Sequence, residues 1–183
     1  MGEEWRKAWH PEKMQPKMSQ ARVLIVGAGP AGLEAARAAG LRGYHVLLAK
    51  ATRTLGGRVT CEATLPGMNE YIRVRDYREQ QLLKLPDVEI FRESRLSAQD
   101  VFDIAPDHVA IATGATWRRD RFDGKTYVPF ATGGAAVLTP DDIMDGNLPD
   151  GPVVVFDGDN HFLAGVVAER LRTAGLAVTY VTE

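Results

Sequence analysis

Cysteine is almost missing from this sequence: Cys61 is the only one in 183 residues. A lone thiol cannot close an internal disulfide or hold an iron–sulfur cluster. Without a CxxC partner, Cys61 reads as a small core residue rather than a redox thiol. Neither sign of charge is in excess, since 22 Lys and Arg face 24 Asp and Glu for a formal charge of −2. No basic surplus argues for a nucleic-acid partner, and no acidic tail argues for disorder. Also missing is an uninterrupted apolar stretch long enough to span a bilayer. The opening residues, MGEEWRKAWHPEK, are charged and aromatic and have no secretory apolar segment. A reducing, cytoplasmic setting without membrane attachment is expected. The apolar fraction of 45% and the length suit one domain or two small ones with a real core.

What is present centres on Arg22 to Lys50, RVLIVGAGPAGLEAARAAGLRGYHVLLAK. Val23 to Val26 form the continuous apolar run of a strand buried on both faces. Gly27, Ala28, Gly29, Pro30, Ala31 and Gly32 follow at once, then a helical segment from Leu33 to Leu41 closed by Gly43. Val46, Leu47 and Leu48 read as a second buried strand. Strand, glycine turn, helix and strand at this spacing predict a dinucleotide-binding βαβ unit. Gly27 permits the sharp turn, Gly29 has no Cβ to block a pyrophosphate, and Gly32 lets helix and strand pack closely. The helix N-terminus offers N–H groups and a partial positive charge to phosphates. Glycines retained for packing alone are the alternative.

Residues 1–20 carry two prolines and three lysines without clear periodicity, as a connector would. Trp5, Trp9 and His10 are too apolar for a free linker and should lie on another surface, His10 packed or hydrogen-bonded in preference to acting as a base. A helix is expected over residues 68–85, MNEYIRVRDYREQQLLKL, with Tyr71, Ile72, Leu82 and Leu83 as its apolar contacts and Pro86 as its stop. Val88, Ile90 and Phe91 alternate like a short strand. Ser97 can cap a helical turn, and Val109 to Ala112 predict a further buried strand ending in Ala112, Thr113 and Gly114. A strand ending in Ala-Thr-Gly resembles the one that closes the nucleotide-binding sheet of flavoprotein reductases. Gly56 and Gly57, followed by Arg58, resemble the Gly-Gly that brings the chain of two-dinucleotide flavoproteins back across the pyrophosphate, Arg58 adding a charge; an ordinary turn is the alternative.

Thr139 and Pro140 make a helix start. From Gly151 a second βαβ-like unit is expected: a strand over Val153 to Phe156, a helix over Phe162 to Ala174 and a strand over Leu176 to Val181. Its turn reads Asp157, Gly158, Asp159, Asn160, His161, so one glycine remains and two carboxylates stand where a pyrophosphate would face them. Like charges in a low-dielectric crevice are costly, so this half should keep the fold and lose nicotinamide-nucleotide binding. A doubly wound sheet needs more strands than these, and the chain is expected to be a piece of a longer protein.

These residues resemble the C-terminal nucleotide-binding part of the trimethylamine dehydrogenase group of iron–sulfur flavoproteins. That group includes dimethylamine and histamine dehydrogenases, N-methylproline and related demethylases and, further off, 2,4-dienoyl-CoA reductase. GEEWRKAWHPEKM, VLIVGAGPAGLEAAR, LGGRVT, LPGMNEY with RDYREQQLLKL, VAIATGATW and LTPDDIMDG carry the resemblance. It implies an α/β, Rossmann-like FAD/NAD(P)-binding three-layer fold, a fragment of a two-dinucleotide-binding-domain flavoprotein. Residues 1–20 would follow the parent's barrel and cluster region, 21–150 would be the FAD- or ADP-binding domain, and 151–183 the start of a degenerate NAD(P)-binding-like unit. FMN in the barrel and a 4Fe–4S centre would lie outside the chain, so no catalytic or metal-ligating residue is expected within it. The candidate ADP- or FAD-binding residues are Gly27, Gly29, Pro30, Ala31, Gly32, Ala49, Lys50, Gly56, Gly57, Arg58, Ala112, Thr113 and Gly114. Lys50 departs from the pattern, because the group places an acid there to accept ribose hydroxyls and a lysine cannot accept. It would favour a phosphate, or leave the site weaker or empty. Two other functions stay open: a stand-alone FAD-dependent pyridine-nucleotide reductase, and a structural domain that binds no nucleotide.

Overall fold

The computed structural model describes residues 14–122, 128–158 and 160–182. Trp5, Trp9, His10 and Asp159 lie outside the described residues. The chain divides into two units. The first takes the described residues up to Val59 together with Ile72–Gly114, and the second takes Thr60–Tyr71 and the described residues from Ala115 on.

In the first unit, β1 (Arg22–Val26) pairs in parallel with β2 (His45–Ala49), which pairs in parallel with β3 (Val88–Phe91). On its other side β1 pairs in parallel with β4 (His108–Ile111), giving the order β3-β2-β1-β4. Helix α1 (Pro30–Leu41) connects β1 to β2 and begins at Pro30, the first-turn position where a missing N–H costs nothing. Strand alternation puts Val23, Ile25, Val46, Leu48, Val88, Ile90 and Ala110 on one face. There Ile25, Val46 and Leu48 are buried with Leu33 and Ala36 of α1 and with Leu82 of a later helix.

The opposite face is less covered. Leu24 is buried, but Val109 and Ile111 are 44% and 78% exposed. This corrects the expectation of a buried strand at 109–112. The apolar run does form a strand, but β4 stands at the edge of the sheet among the described residues. The expected helix over 68–85 is also corrected. A 3-10 turn covers Asn69–Ile72 and the α-helix runs only from Arg73 to Leu82, the break falling where the chain changes unit. Leu83 lies beyond the helix and is 76% exposed, so it is not one of the apolar contacts. With the short helix α2 (Arg58–Glu62) counted, Arg73–Leu82 is α3, and α4 (Ala98–Ile104) follows β3. Ser97 caps α4 as expected: its Oγ accepts from the Asp100 N–H at 3.2 Å, and the Asp100 carboxylate accepts from the Ser97 N–H at 2.7 Å.

In the second unit, α5 (Pro140–Met144) starts with the same device, the Thr139 N–H donating to Asp142 Oδ2 at 2.7 Å. Strand β5 (Val153–Asp157), helix α6 (Phe162–Thr173) and strand β6 (Val178–Thr182) form the second parallel βαβ unit. Leu163, Val167 and Leu171, spaced on one side of α6, are buried with Leu65, Met68 and Ile143. Cys61, expected as a core residue, is only half-buried. Among the described residues no helix is long and apolar enough to cross a membrane.

Candidate functional site

The ends of three parallel strands and the start of α1 meet in the first unit, and backbone hydrogen bonds fix them. The Gly27 N–H donates to the Ala49 carbonyl at 2.8 Å, and the Ala112 N–H donates to the Val26 carbonyl at 2.7 Å. Gly27 has φ of +106°, and a Cβ there would stand 2.2 Å from the Ala112 oxygen. A Cβ on Gly32 would stand 1.9 Å from the Gly27 oxygen and 3.3 Å from Ala112 Cβ. These two glycines and Ala112 are therefore small because helix and strands approach each other closely.

Gly29 is different. It is the N-cap residue of α1, with φ −74° and ψ −177°, and a Cβ built on it meets no protein atom within 4 Å. Packing does not account for a glycine at this point. Open backbone at a helix start does suit a ligand that must touch the main chain. The helix supports an anion there: α1 has no acidic residue in its first turn, Gly29 supplies no side-chain cap, and Pro30 has no N–H to satisfy.

The loop after β2 folds back onto the same place. The Gly56 N–H donates to the Ala28 carbonyl at 2.7 Å, and a Cβ on Gly57 (φ +59°) would stand 3.1 Å from Gly29 Cα. Gly56 and Gly57 thus bring Arg58, the next residue, to the neighbourhood of the glycine turn. Lys50 follows β2; its N–H donates to the Phe91 carbonyl and its own carbonyl accepts from the Ser94 N–H, each at 2.8 Å. Pro30, Ala31, Thr113 and Gly114 are exposed on this side of the unit, and Ala49 is buried beneath it. All thirteen candidate residues lie in the first unit. The residues that fit the diphosphate of an adenine nucleotide are Gly29, Ala31 and Gly32, through their main chain, with Gly56 and Gly57 opposite Gly29.

Sequence reasoning missed the support of the loop. Arg92 Nη1 donates to the Arg53 carbonyl at 2.8 Å, while its Nη2 pairs with Glu79 Oε1 at 2.5 Å. Nothing in the local sequence couples positions so far apart. Ala28, fully buried and accepting from Gly56, carried a weak signal as the small residue between two glycines.

The second turn is built otherwise. Asp157, the last residue of β5, is buried. Its carboxylate accepts from Tyr180 Oη at 2.5 Å and from the His161 N–H at 3.4 Å. That hydrogen bond to the carboxylate holds the Tyr180 phenol above its ordinary pKa. Thr182 Oγ1 donates to Asn160 Oδ1 at 2.6 Å, and Asn160 takes φ of +52°. Here a protein carboxylate occupies the helix start that would receive a phosphate. Asp157 is buried in this turn, and its carboxylate is held by hydrogen bonds within the unit.

A parallel sheet with a glycine turn between strand and helix, and open backbone where a pyrophosphate would lie, defines a Rossmann-like dinucleotide-binding unit. The chain belongs to the pyridine nucleotide–disulphide oxidoreductase family, whose pattern matches residues 21–155. It is 40% identical to a dimethylamine dehydrogenase of Hyphomicrobium sp. (strain x), covering 99% of this chain and 26% of that protein. It is 33% identical to a probable N-methylproline demethylase of Rhizobium meliloti (strain 1021), over 97% of this chain and 25% of that protein. Among solved structures, histamine dehydrogenase from Rhizobium sp. 4-9 matches with a TM-score of 0.91 and 50% identity, over 98% of this chain and 28% of that one. The resemblance to the amine dehydrogenase and demethylase group therefore holds over nearly the whole chain. The chain spans about a quarter of the length of these relatives.

Proposed function

We propose that the first unit binds the adenosine diphosphate moiety of ADP or FAD within a larger cytoplasmic oxidoreductase acting on N-methylated amines or amino acids. One observation carries this: a Cβ on Gly29 would meet no protein atom within 4 Å, although the Gly56–Gly57 loop is folded against its backbone. A glycine kept for packing would have an atom where its Cβ would stand, as Gly27 and Gly32 do. Relatives named as dimethylamine dehydrogenase, histamine dehydrogenase and N-methylproline demethylase supply the substrate class. In this proposal residues 1–20 connect to a barrel with FMN and a 4Fe–4S region, 21–150 form the nucleotide domain, and 151–183 begin a degenerate second one. FAD would supply electron transfer; ADP would be structural. The chain's own residues bind and orient the nucleotide, and oxidation of substrate belongs to the rest of the parent.

A stand-alone reductase would need a working nicotinamide site. The Asp157 carboxylate at the start of α6 weighs against one. A purely structural role has Lys50 in its favour. Calorimetric titration of the purified chain with ADP, FAD and NADPH separates the three. Saturable binding of ADP or FAD without NADPH is expected, while tight NADPH binding with reductase turnover refutes the proposal.

A further inference from the structure

Dinucleotide folds meet the adenosine ribose with an acidic residue shortly after the second strand. Here that place holds Lys50, whose side chain can only donate. Ligands of open parallel sheets lie beyond the carboxyl ends of the strands. The residues that directly follow the four strands of the first unit are 27–32, 50–57, 92–96 and 112–114, and Glu93 is the one acid among them.

Three hydrogen bonds lay Glu93 beside the loop after β2. The Lys50 N–H donates to the Phe91 carbonyl at 2.8 Å, the Ser94 N–H donates to the Lys50 carbonyl at 2.8 Å, and the Glu93 N–H donates to the Thr52 carbonyl at 3.4 Å. Glu93 thus stands one strand across from Lys50. Neighbouring strands are about 4.8 Å apart, a distance that a glutamate side chain spans. Glu93 is exposed, and among the described residues its carboxylate has no hydrogen-bond or ion-pair partner. Its backbone sets it apart as well: φ is +55°, in the left-handed region that glycine and asparagine fill more readily. The turn alone would favour one of those two residues. A glutamate adds a charged acceptor to it.

We infer that Glu93 receives the ribose hydroxyls of the bound nucleotide, so that the acceptor stands in the turn after the third strand instead of at the end of the second. A carboxylate accepts through two oxygens, which suits the two neighbouring hydroxyls of an unmodified ribose. The inference rests on the glycine turn being the diphosphate site proposed above. Its rival as acceptor is the Thr52 hydroxyl, which donates to the Thr54 carbonyl at 3.3 Å and keeps its lone pairs.

The test is calorimetry of the chain with ADP and with 2′,3′-dideoxyadenosine 5′-diphosphate, which keeps the diphosphate and lacks both hydroxyls. ADP should bind at least about tenfold tighter, as hydrogen bonds to a charged acceptor require. Glu93→Ala should abolish that preference by weakening ADP, while the dideoxy nucleotide binds no more weakly than before. Thr52→Val should keep the preference. Glu93→Gly should lose the preference without lowering the denaturation midpoint, because glycine takes the left-handed turn freely; this separates a lost acceptor from a damaged fold. Equal binding of the two nucleotides to the unsubstituted chain overturns the inference and leaves the diphosphate site standing. A preference that survives Glu93→Ala also overturns it, and loss of that preference in Thr52→Val assigns the acceptor to Thr52. Binding of neither nucleotide overturns the diphosphate site and the inference together.

Discussion

Gly29 and Gly32 sit in one turn and answer to different forces, which makes them separable by substitution. In Gly32→Ala the new Cβ would lie 1.9 Å from a backbone oxygen that cannot swing aside. Overpacking of this kind costs about 1–3 kcal/mol, and chemical denaturation of the variant should show at least that loss. In Gly29→Ala the methyl meets no atom within 4 Å, and the φ of −74° is one alanine adopts freely. Its cost is confined to the poorer capping of α1, about 1 kcal/mol or less. The same substitution should weaken ADP binding at least about tenfold, since it puts a methyl where the diphosphate must touch the main chain. A Gly29→Ala protein that titrates with ADP as the parent does would place the diphosphate elsewhere. Both motifs of glycines were legible in the sequence, but the difference between them was not: spacing identifies a turn, and only coordinates show which glycine has a neighbour.

Elements were legible where local chemistry decides them. The Val-rich strands, the Pro30 and Pro140 helix starts and the Ser97 and Thr139 caps all follow from contacts within a few residues. What the sequence could not convey depends on partners far along the chain. Val109 and Ile111 look like core by composition, yet β4 has a strand on one side only. Residues 68–85 contain no glycine or proline, yet the α-helix starts only at Arg73, after a 3-10 turn over Asn69–Ile72. The contact between α1 and α3 belongs to this class. Glu34 Oε1 takes Arg37 Nη2 at 2.6 Å along α1, and Glu34 Oε2 takes Arg78 Nε of α3 at 2.8 Å. The Arg37 hydrogen bond, with charge from both arginines, holds the Glu34 carboxyl below its ordinary pKa. A carboxyl whose folded-state pKa is depressed adds stability above its unfolded value, roughly 4.3, and loses it as pH falls towards the folded value. The parent should therefore be more stable than Glu34→Gln at pH 7, and the gap should narrow progressively below about pH 4.5. Urea titrations of both proteins across that range measure it. A gap independent of pH would mean that Glu34 stabilises by packing alone.

Across the whole molecule, two βαβ units of the same plan have opposite helix starts. The first leaves Gly29 open and carries no acid in the first turn of α1. The second fills the corresponding region with Asp157, held by Tyr180 and by the His161 N–H. A buried carboxylate that already accepts hydrogen bonds at a helix start competes with any phosphate for the same donors and repels its charge. One chain should accordingly have one nucleotide site, and amide hydrogen exchange can locate it. With ADP at about one hundred times its Kd, the binding linkage adds about 2.7 kcal/mol to the opening free energy of amides that open only when the ligand leaves. Slowed exchange is expected at residues 22–33 and 49–58 and at Ala112 to Gly114, with residues 153–182 unchanged. Adding NADPH in place of ADP should leave the amides after β5 as they were. Protection appearing at His161 to Leu163 with NADPH would show that Asp157 yields its donors to a phosphate and that the second turn still binds. Tyr180→Phe tests the same lock from inside: it removes one hydrogen bond from a buried carboxylate, which should lower the denaturation midpoint of the β5–β6 pairing without creating a second site.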